Sequence, residues 1–256
     1  MNRYVDFAIK TFKKEKKRIA NEKLISAEID KKIPDLVVKH GPFQGMRYPE
    51  KCSIGSALFP KLLGSYEAEL HHIIDMCINK KYANIVDIGC AEGYYAVGMA
   101  IRIPNATIYA YDIDSQALNL TNTMFSTNCI DSSRFFTGSF CDEQTLMNIP
   151  LHEKSLIISD CEGYEKYLFT NKSVDFFSNH DLLIEVHDVF DIEISSNLTE
   201  VFKNTHKLTI VHSIDDIQKA KTYQYDEIDE YNLSTKKILL EEGRESIMEW
   251  FYLESI

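Results

Sequence analysis

Short apolar runs rich in β-branched residues alternate with stretches of helical period along most of this chain. The runs predict strands, and the stretches between them predict helices. Strands that alternate with helices favour a parallel sheet with right-handed crossovers, so ligand sites are expected at the carboxyl ends of the strands. The predicted strands are 84–88, 106–112, 134–137, 155–160, 182–187, 206–212 and 248–253.

The predicted helices fall between these strands and at the N-terminus. The first 35 residues have a helical pattern as far as Pro34, and Ser65 is expected to cap a helix that leads into the first strand. Residues 41–65 are rich in glycine, proline and serine, which predicts irregular structure. The acidic, tyrosine-rich residues 215–231 interrupt the pattern. Further helices are predicted at 92–103, 114–128, 141–148, from 162 onward, 196–204 and 233–242.

The first of these strands runs directly into a glycine turn. Gly89 and Gly93 permit positive φ and let a ligand approach the backbone closely. Asp87 is the one charge in a strand that should be covered on both faces, so it needs a partner. The spacing differs from the G-x-G-x-x-G of dinucleotide enzymes, and the carboxylate of Glu92 would repel a pyrophosphate.

The pattern Asp87-x-Gly89-x-Ala91-x-Gly93 resembles the first motif of class I S-adenosylmethionine-dependent methyltransferases. The second strand ends in Asp112, which is suited to a bidentate hydrogen bond with two ribose hydroxyls. This resemblance implies an α/β, Rossmann-like, seven-stranded and mostly parallel sheet of order 3-2-1-4-5-7-6, with the last strand antiparallel. It also implies S-adenosylmethionine as cofactor, with its adenine near Gly138. The residues expected to bind the cofactor are Tyr66, Glu67, Asp87, Gly89, Ala91, Gly93, Asp112, Ile113, Ser139, Phe140 and Asp160.

A second motif follows the fourth strand. The segment Asp160-x-Glu162-Gly163-x-Glu165 resembles the D-x-E-G-x-E motif of the FkbM-type methyltransferases, a bacterial group that mostly O-methylates sugars and other natural-product hydroxyls. The resemblance covers roughly residues 41–255. It implies an O-methyltransferase that acts on a hydroxyl of a small molecule, such as a sugar or a sugar-nucleotide. The segments Gly41–Met46 and Ser56–Glu67 are also similar to the beginning of such enzymes.

The catalytic groups are predicted among Asp160, Glu162, Glu185 and His187, and alternate strand residues such as the last two share one face. Methyl transfer to an alcohol needs a base, and His187 is the first candidate because its unperturbed pKa is about 6.5; Asp160 is the second. Two alternatives stay open. His187 can instead shape the pocket through a hydrogen bond, while Glu165 has a structural role. Asp160, Glu185 and His187 can also bind a divalent ion, as catechol-type methyltransferases do nearby, although the Asp-Asn pair of those enzymes is absent.

Length and composition fit one large α/β domain with an appendage. The 256 residues are 45% apolar, and no apolar run approaches the roughly 18 residues of a membrane span. We expect an N-terminal helical extension over 1–40 and a methyltransferase domain over 41–256, in which 41–65 forms a lid. The N-terminus lacks the pattern of a signal peptide, and the six cysteines form no C-x-x-C pair, so a cytoplasmic protein with reduced thiols is expected.

The charge distribution argues against a nucleic-acid substrate. The chain has 28 basic and 39 acidic side chains, for a net charge of −11, but residues 1–40 alone carry a net +5. The remaining −16 repels phosphate backbones, so only the basic run 10–18 could contact nucleic acid or anionic lipid. The alternative is an amphipathic helix whose apolar side chains face the protein. Those side chains are Phe7, Phe12, Ile19 and Ile25. A homo-oligomer stays open.

Overall fold

The structure, a computed structural model, describes residues 2–244 and 246–256, with side chains from residue 11 onward. Within this part, the chain folds around one seven-stranded sheet of order β3-β2-β1-β4-β5-β7-β6. β1 to β5 pair in parallel, and β7 pairs antiparallel with both β5 and β6. The predicted sheet and its order are therefore confirmed. The strands are β1 (Asn84–Ile88), β2 (Thr107–Tyr111), β3 (Phe135–Gly138), β4 (Ser155–Ser159), β5 (Asp181–Val186), β6 (His206–His212) and β7 (Glu249–Ser255).

Burial along the strands explains their composition. Every residue of β1, β4 and β5 is buried, because helices cover both faces of the central sheet. The edge strand β6 is mostly exposed or half-buried. Asp87 on β1 lies in register with Ile158 on β4, so the carboxyl ends of these neighbouring strands meet at one edge of the sheet. Any groups placed just after them are brought together there.

Eleven α-helices surround the sheet in the described part of the chain. The helix α1 extends from the body, and the others pack between or beside strands. They are α1 (Asn2–Lys32), α2 (Leu58–Leu63), α3 (His71–Lys80), α4 (Tyr94–Arg102), α5 (Ser115–Thr127), α6 (Glu143–Met147), α7 (Glu165–Leu168), α8 (Val174–Phe177), α9 (Ile194–Phe202), α10 (Asp216–Thr222) and α11 (Leu233–Leu240).

Several predicted helix starts were wrong. Ser65 does not cap a helix: α3 begins at His71, and the buried Ser65 hydroxyl has no hydrogen-bond partner among the described residues. The helix expected from Glu92 begins two residues later, after Gly93. The helix expected from Glu162 begins at Glu165, because Glu162 adopts a left-handed φ of 53°. Local backbone turns that sequence spacing does not reveal delay both starts.

α2 and α10 were not predicted, and α8 was not predicted separately from the helix expected from Glu162. α2 lies within the glycine-rich segment 41–65, which is otherwise made of turns, and ends at Gly64 in a left-handed conformation. α10 lies within the acidic segment 215–231, where the Asp215 carboxylate caps it by accepting from the backbone N–H groups of Ile217 and Gln218. The sequence pattern did not indicate α2 and α10, because both helices are short and lie in polar or glycine-rich segments.

The N-terminal helix contacts the body mainly through its last turns. Ile29 and Ile33 are buried in the main hydrophobic cluster, and Ile25 packs against it as predicted. Phe12 and Ile19 are 71% and 41% exposed, so the prediction that they face the protein was wrong. The helix extends past the body there; the Phe7 side chain lies outside the described side chains. Among the described residues, no helix combines the length and apolarity needed to cross a membrane.

Candidate active site

A cavity of about 370 Å³ lies at the carboxyl ends of β1, β2 and β4. Its size is that of a small-molecule pocket. Two residues expected at the cofactor, Glu67 and Gly93, do not line it. The other predicted cofactor residues do, namely Tyr66, Asp87, Gly89, Ala91, Asp112, Ile113, Ser139, Phe140 and Asp160.

The glycines of the turn after β1 have packing roles. Gly89 has a φ of 78°, and a Cβ there would lie 1.7 Å from the backbone oxygen of Asp160. Gly93 has a φ of 90°, and a Cβ there would approach the Thr121 side chain to 2.8 Å. Glycine at these positions therefore lets β4 and α5 come close, which shapes the cavity. Ala91 between them adopts a φ of 46°.

Asp112 is held in a fixed orientation at the end of β2. Its carboxylate accepts hydrogen bonds from the backbone N–H groups of Ala91 and Asp114, each at 2.8 Å. Carboxylate oxygens have further lone pairs for ligand hydroxyls. Ile113 and Phe140 lie on the same rim with largely exposed apolar side chains. A carboxylate between two exposed apolar surfaces fits a ribose and its attached base.

Asp87 offers a second acid to the cavity. Burial raises the pKa of this carboxyl to about 7, although it accepts a hydrogen bond of 2.9 Å from the backbone N–H of Ala96. The nearby carboxylate of Asp112 raises it further, while Lys61 opposes the shift. A buried acid poised between its two forms is suited to a cationic ligand group, which would stabilise the ionised form.

The expectation that the Glu92 carboxylate repels a bound anion needs correction, because this side chain is buried and forms an ion pair with Lys61. The Lys61 Nζ lies 2.6 Å from its Oε1, and both side chains are buried. The Ser53 hydroxyl and the Ile54 N–H also donate to it. Although burial opposes ionisation, Lys61 holds the pKa of Glu92 below its usual value. Repulsion of an anion by Glu92 is therefore not a feature of this cavity.

Lys61 was missed by the sequence analysis. Its ammonium lies 4.9 Å and 5.3 Å from the ring centroids of Tyr66 and Tyr94, and all three residues line the cavity. No local pattern could have paired it with an acid 31 positions away. Within the proposed lid, only residues 54–56 and Lys61 reach the cavity. Phe43 belongs to the core.

Beyond the cofactor residues, the ends of β4 and β5 bring together four acids around His187. Its side chain is 4% exposed, and its Nδ1 lies 2.6 Å from Oε1 of the buried Glu165, to which it donates. Its Nε2 faces Oδ1 of Asp160 at 3.4 Å, Oε2 of Glu162 at 3.6 Å and Oε2 of Glu185 at 3.8 Å. Glu185 and His187 thus share one strand face, as predicted.

Two members of this cluster, Asp160 and His187, have raised pKa values. The Asp160 side chain is 35% exposed, but its Oδ1 atom is buried and has no hydrogen-bond partner in the described part of the chain. Burial and the neighbouring Glu185 and Glu67 raise the pKa of Asp160 well above its usual range. Burial alone would lower the pKa of His187, but the hydrogen bond to Glu165 and the surrounding carboxylates raise it overall.

Arg244 is a further group that the sequence analysis missed. Its guanidinium pairs with Glu185 and Glu67, and its Nε lies 3.3 Å from Glu242. This pairing, together with a hydrogen bond from the Tyr95 hydroxyl, explains why Glu67 points away from the cavity. Arg244 follows α11 in an irregular segment, so sequence spacing gave no signal for it. Asp160 and Glu162 line the cavity, while Glu185 and His187 contact them from within the protein.

Comparisons with known proteins identify the family of the chain. The sequence profile of the methyltransferase small domain matches residues 71–209, more than half of the chain. No curated protein matches the chain.

Solved structures with a similar fold include a putative O-methyltransferase from Klebsiella pneumoniae. Its sequence identity to this chain is 9%, and its TM-score is 0.49. The match covers 75% of this chain and 81% of that chain. The O-methyltransferase TomG from Streptomyces achromogenes, in complex with SAM, has 8% identity, 75% and 81% coverage and a TM-score of 0.47. An rRNA methylase from Streptococcus thermophilus has 14% identity, 73% and 96% coverage and a TM-score of 0.47. By the match over residues 71–209, the chain belongs to the methyltransferase small domain family and is a class I S-adenosylmethionine-dependent methyltransferase.

Proposed function

We propose that this enzyme methylates a hydroxyl of a small molecule, in the manner of the FkbM-type methyltransferases that its second motif resembles. A sugar or a sugar-containing intermediate is the acceptor class that this resemblance favours. One observation carries the proposal: a single cavity has Asp112 and the first motif on one wall and Asp160 and Glu162 on another. A cofactor site and a group of proton-accepting side chains therefore open into the same space.

The residues of the first wall fit S-adenosylmethionine. We propose that Asp112, held by two backbone N–H groups, receives the two ribose hydroxyls. Asp87 lies near the amino-acid end of the cofactor and pairs with its ammonium group. The adenine rests near residues 138–140, where Phe140 offers an exposed ring. Tyr66 on the opposite side closes the cavity.

The second wall has the groups that an alcohol acceptor needs. S-adenosylmethionine supplies an electrophilic methyl on a sulfonium: the acceptor oxygen bonds to it, the sulfur keeps the electron pair of the broken bond, and the hydroxyl proton leaves. The cluster of Asp160, Glu162, Glu185 and His187 can promote loss of that proton in two ways. One of its members accepts the proton directly, or the cluster holds a divalent cation that acidifies the hydroxyl.

As a direct base, Asp160 is better placed than His187. Its side chain reaches the cavity, and the raised pKa of its carboxyl makes the ionised form a stronger proton acceptor than an ordinary aspartate, although that form must be generated first. His187 donates to Glu165 and is surrounded by carboxylates that favour its protonated form. It would have to lose a proton before it could accept one. We propose that His187 acts on the reaction through Asp160 and Glu185.

We also propose that residues 41–256 form the catalytic domain, residues 1–40 an extension, and residues 41–65 a lid. Ile54, Gly55 and Ser56 line the cavity, and the neighbouring Ser53 hydroxyl and the Ile54 N–H donate to Glu92, which lies within the first motif. A lid here would shield the methyl donor from water. Hydrogen exchange tests it: backbone amides around 54–56 should become protected with S-adenosylhomocysteine and acceptor. Equal exchange with and without them would contradict the lid.

The exposed basic helix α1 supports a second candidate, an RNA substrate. Lys13, Lys14, Lys16 and Lys17 are all exposed on it. The acidic body opposes this reading, since it repels phosphate backbones. Retention of the protein by immobilised RNA at low salt separates the two. We expect weak retention that disappears when residues 1–20 are removed, with methyl transfer to small molecules unchanged.

The proposed function is tested by incubating the enzyme with labelled S-adenosylmethionine and panels of glycans, nucleotide-linked sugars and hydroxy acids. We expect a mass gain of one methyl group in a hydroxyl-bearing compound, confirmed as a methyl ether by NMR. Asp112→Ala should abolish the label at low cofactor concentration. Methylation confined to RNA or to amines, or tighter binding of NAD than of S-adenosylhomocysteine, would overturn the proposal.

A further inference from the structure

We infer that Asp160, Glu185 and His187 form a binding site for one divalent transition-metal ion. The inference rests on the proposed function for the role of the ion but not for the existence of the site. One ligand atom from each of the three residues lies within 4.8 Å of the other two. Ligands bound at roughly 2.1 Å from one metal lie about 3–4 Å apart, so small side-chain movements suffice to close the site.

The strongest observation is that Nε2 of a buried imidazole faces three carboxylates of the described residues without a close hydrogen bond to any of them. The His187 side chain is 96% buried, yet the carboxylate oxygens nearest its Nε2 stand at 3.4, 3.6 and 3.8 Å. Hydrogen bonds to nitrogen are about 2.7–3.2 Å long, so this buried nitrogen has no close hydrogen-bond acceptor among these acids. It points at the centre of the cluster. A metal ion between the nitrogen and the oxygens would satisfy both kinds of atom.

Asp160 contributes a second unpartnered atom. Its Oδ1 is buried and has no hydrogen-bond partner in the described residues. A buried carboxylate oxygen without a donor is costly to keep, so it indicates a missing positive group. Arg244, a cation beside the cluster, is bound to Oε1 of Glu185 and leaves Oε2 facing His187. One atom of each proposed ligand, Oδ1 of Asp160, Oε2 of Glu185 and Nε2 of His187, therefore faces the others.

Glu165 supports the site as a positioning residue. Its Oε1 receives the Nδ1–H of His187 at 2.6 Å and the backbone N–H of Gly163 at 3.3 Å. In the neutral imidazole this hydrogen bond selects the tautomer with the lone pair on Nε2, so a metal ion would take the place of the Nε2 proton that the carboxylates favour. Histidines that ligate metals nearly always donate their other ring N–H to a carboxylate or carbonyl in this way. The buried Glu165–His187 pair is therefore organised as a ligand and its support.

The ligand set selects the class of ion. Carboxylates suit Mg²⁺, Ca²⁺ and Mn²⁺, whereas an imidazole nitrogen favours first-row transition metals. Two carboxylates with one imidazole therefore favour Mn²⁺ or a related divalent ion over Mg²⁺. The half-exposed side of Asp160 opens to the cavity, so the ion would keep positions for water or for an acceptor hydroxyl.

Such an ion would explain how the acceptor hydroxyl loses its proton. A hydroxyl bound to a divalent ion has a lowered pKa. With Asp160, Glu185 and His187 as ligands, Glu162 remains as an exposed carboxylate on the cavity wall that can take the proton and pass it to water. The acceptor oxygen then forms its bond to the methyl carbon, and the sulfur keeps the electron pair.

The test measures metal binding directly, without an acceptor. The full-length protein is stripped with EDTA, dialysed and titrated with Mn²⁺, while the signal of free Mn²⁺ is followed by electron paramagnetic resonance. We expect one Mn²⁺ per chain, and weaker competition by Mg²⁺ than by Zn²⁺. Asp160→Asn and His187→Ala should each weaken binding by at least about 100-fold, and Glu165→Gln by roughly 10–100-fold. His212→Ala, an exposed histidine on β6, is the matched control and should bind like the wild type.

Folding of each variant is checked by circular dichroism and thermal melting. Asp160→Asn removes no hydrogen bond at Oδ1, so it tests the site even if His187→Ala does not fold. Absence of Mn²⁺ binding, or equal binding by wild type and Asp160→Asn, would overturn the inference. Hydroxyl methylation that survives EDTA would overturn the role of the ion and leave the proposed function standing. Specific Mn²⁺ binding without hydroxyl methylation would leave the site standing and count against the proposed function.

Discussion

Acids at the amino ends and at the carboxyl ends of the strands differ in their hydrogen-bond partners and in the direction of their pKa shifts. At the amino end of β5, Asp181 is fully buried and surrounded by donors: the ammonium groups of Lys80 at 2.7 Å and Lys154 at 3.0 Å, the Tyr82 hydroxyl and the Ser255 N–H. Although burial opposes ionisation, the hydrogen bonds from Lys80 and Tyr82 hold the pKa of Asp181 well below its usual value. At the opposite edge, Asp160 has a buried oxygen without a partner and a raised pKa.

We interpret Asp181 as an acid that stabilises the fold, and we propose that Asp160 is available for chemistry. A buried carboxylate costs several kcal/mol unless hydrogen bonds and cations offset its desolvation. The protein supplies those partners to Asp181 at the edge away from the cavity. It leaves them incomplete around Asp160 and His187 at the edge where the cavity opens. Unsatisfied groups that a fold tolerates are expected where a ligand completes them.

The largest expected effect is the loss of turnover in Asp160→Asn. The substitution removes a metal ligand or a base, so kcat for the acceptor found by screening should fall roughly 100- to 10,000-fold. Thermal stability should stay equal or rise, because an oxygen without a donor and its repulsion with Glu185 are removed together. Turnover assays and thermal melts on the same preparation measure both.

Asp30→Asn, an exposed acid paired with Lys51, serves as the control for that variant and should change neither quantity. Full activity of both Asp160→Asn and His187→Ala would contradict a catalytic role for the acids at the carboxyl ends of the strands. Proximity of the reactants would then be the only catalytic device.

Asp181→Asn should show the reverse behaviour. Loss of the charge weakens the hydrogen bonds from Lys80 and Tyr82, and we expect the free energy of unfolding to fall by about 2–3 kcal/mol. Chemical denaturation measures it, and kcat of the folded fraction should stay unchanged. Because the folded pKa of Asp181 is depressed, its contribution is present above the unfolded value near 3.8 and is lost as pH falls below it. Unfolding curves of wild type and variant should therefore converge in acid; a constant gap would contradict the ionic origin of the difference.

Asp112→Ala tests whether cofactor binding and Mn²⁺ binding at the carboxyl ends of the strands depend on separate residues. It should weaken S-adenosylhomocysteine binding by about 1–3 kcal/mol, since two hydrogen bonds to hydroxyls are lost, and leave Mn²⁺ binding unchanged. Isothermal titration calorimetry with each ligand makes the comparison. Unchanged affinity for S-adenosylhomocysteine would remove the assignment of Asp112 to the ribose.

The sequence predicted the parts of this architecture that local patterns determine. Short apolar and aromatic runs located every strand, and the motif at Asp87 to Gly93 with Asp112 located one wall of the cavity. The pairing of Glu185 and His187 on one face followed from strand alternation. What the sequence could not provide are contacts between distant segments. The ion pairs of Lys61 with Glu92 and of Arg244 with Glu185 join segments that are far apart in the sequence. These pairs determine which carboxylates are neutralised by a cation.

The smallest expected effect is a pH dependence of cofactor affinity that originates at Asp87. Burial raises the pKa of this acid to about 7, so part of the free enzyme carries it protonated at neutral pH. An ammonium group on the ligand favours the ionised form, and binding should therefore release a proton. The dissociation constant for S-adenosylhomocysteine should rise as pH falls below about 7, by at most roughly tenfold per pH unit, and level off above about 8.

Calorimetry in two buffers of different ionisation enthalpy measures the released proton. Asp87→Asn should bind more weakly with a flat profile, whereas Asp112→Ala should keep the slope. Parallel slopes in wild type and Asp87→Asn would assign the proton to another group and place Asp87 with the satisfied, structural acids of the fold.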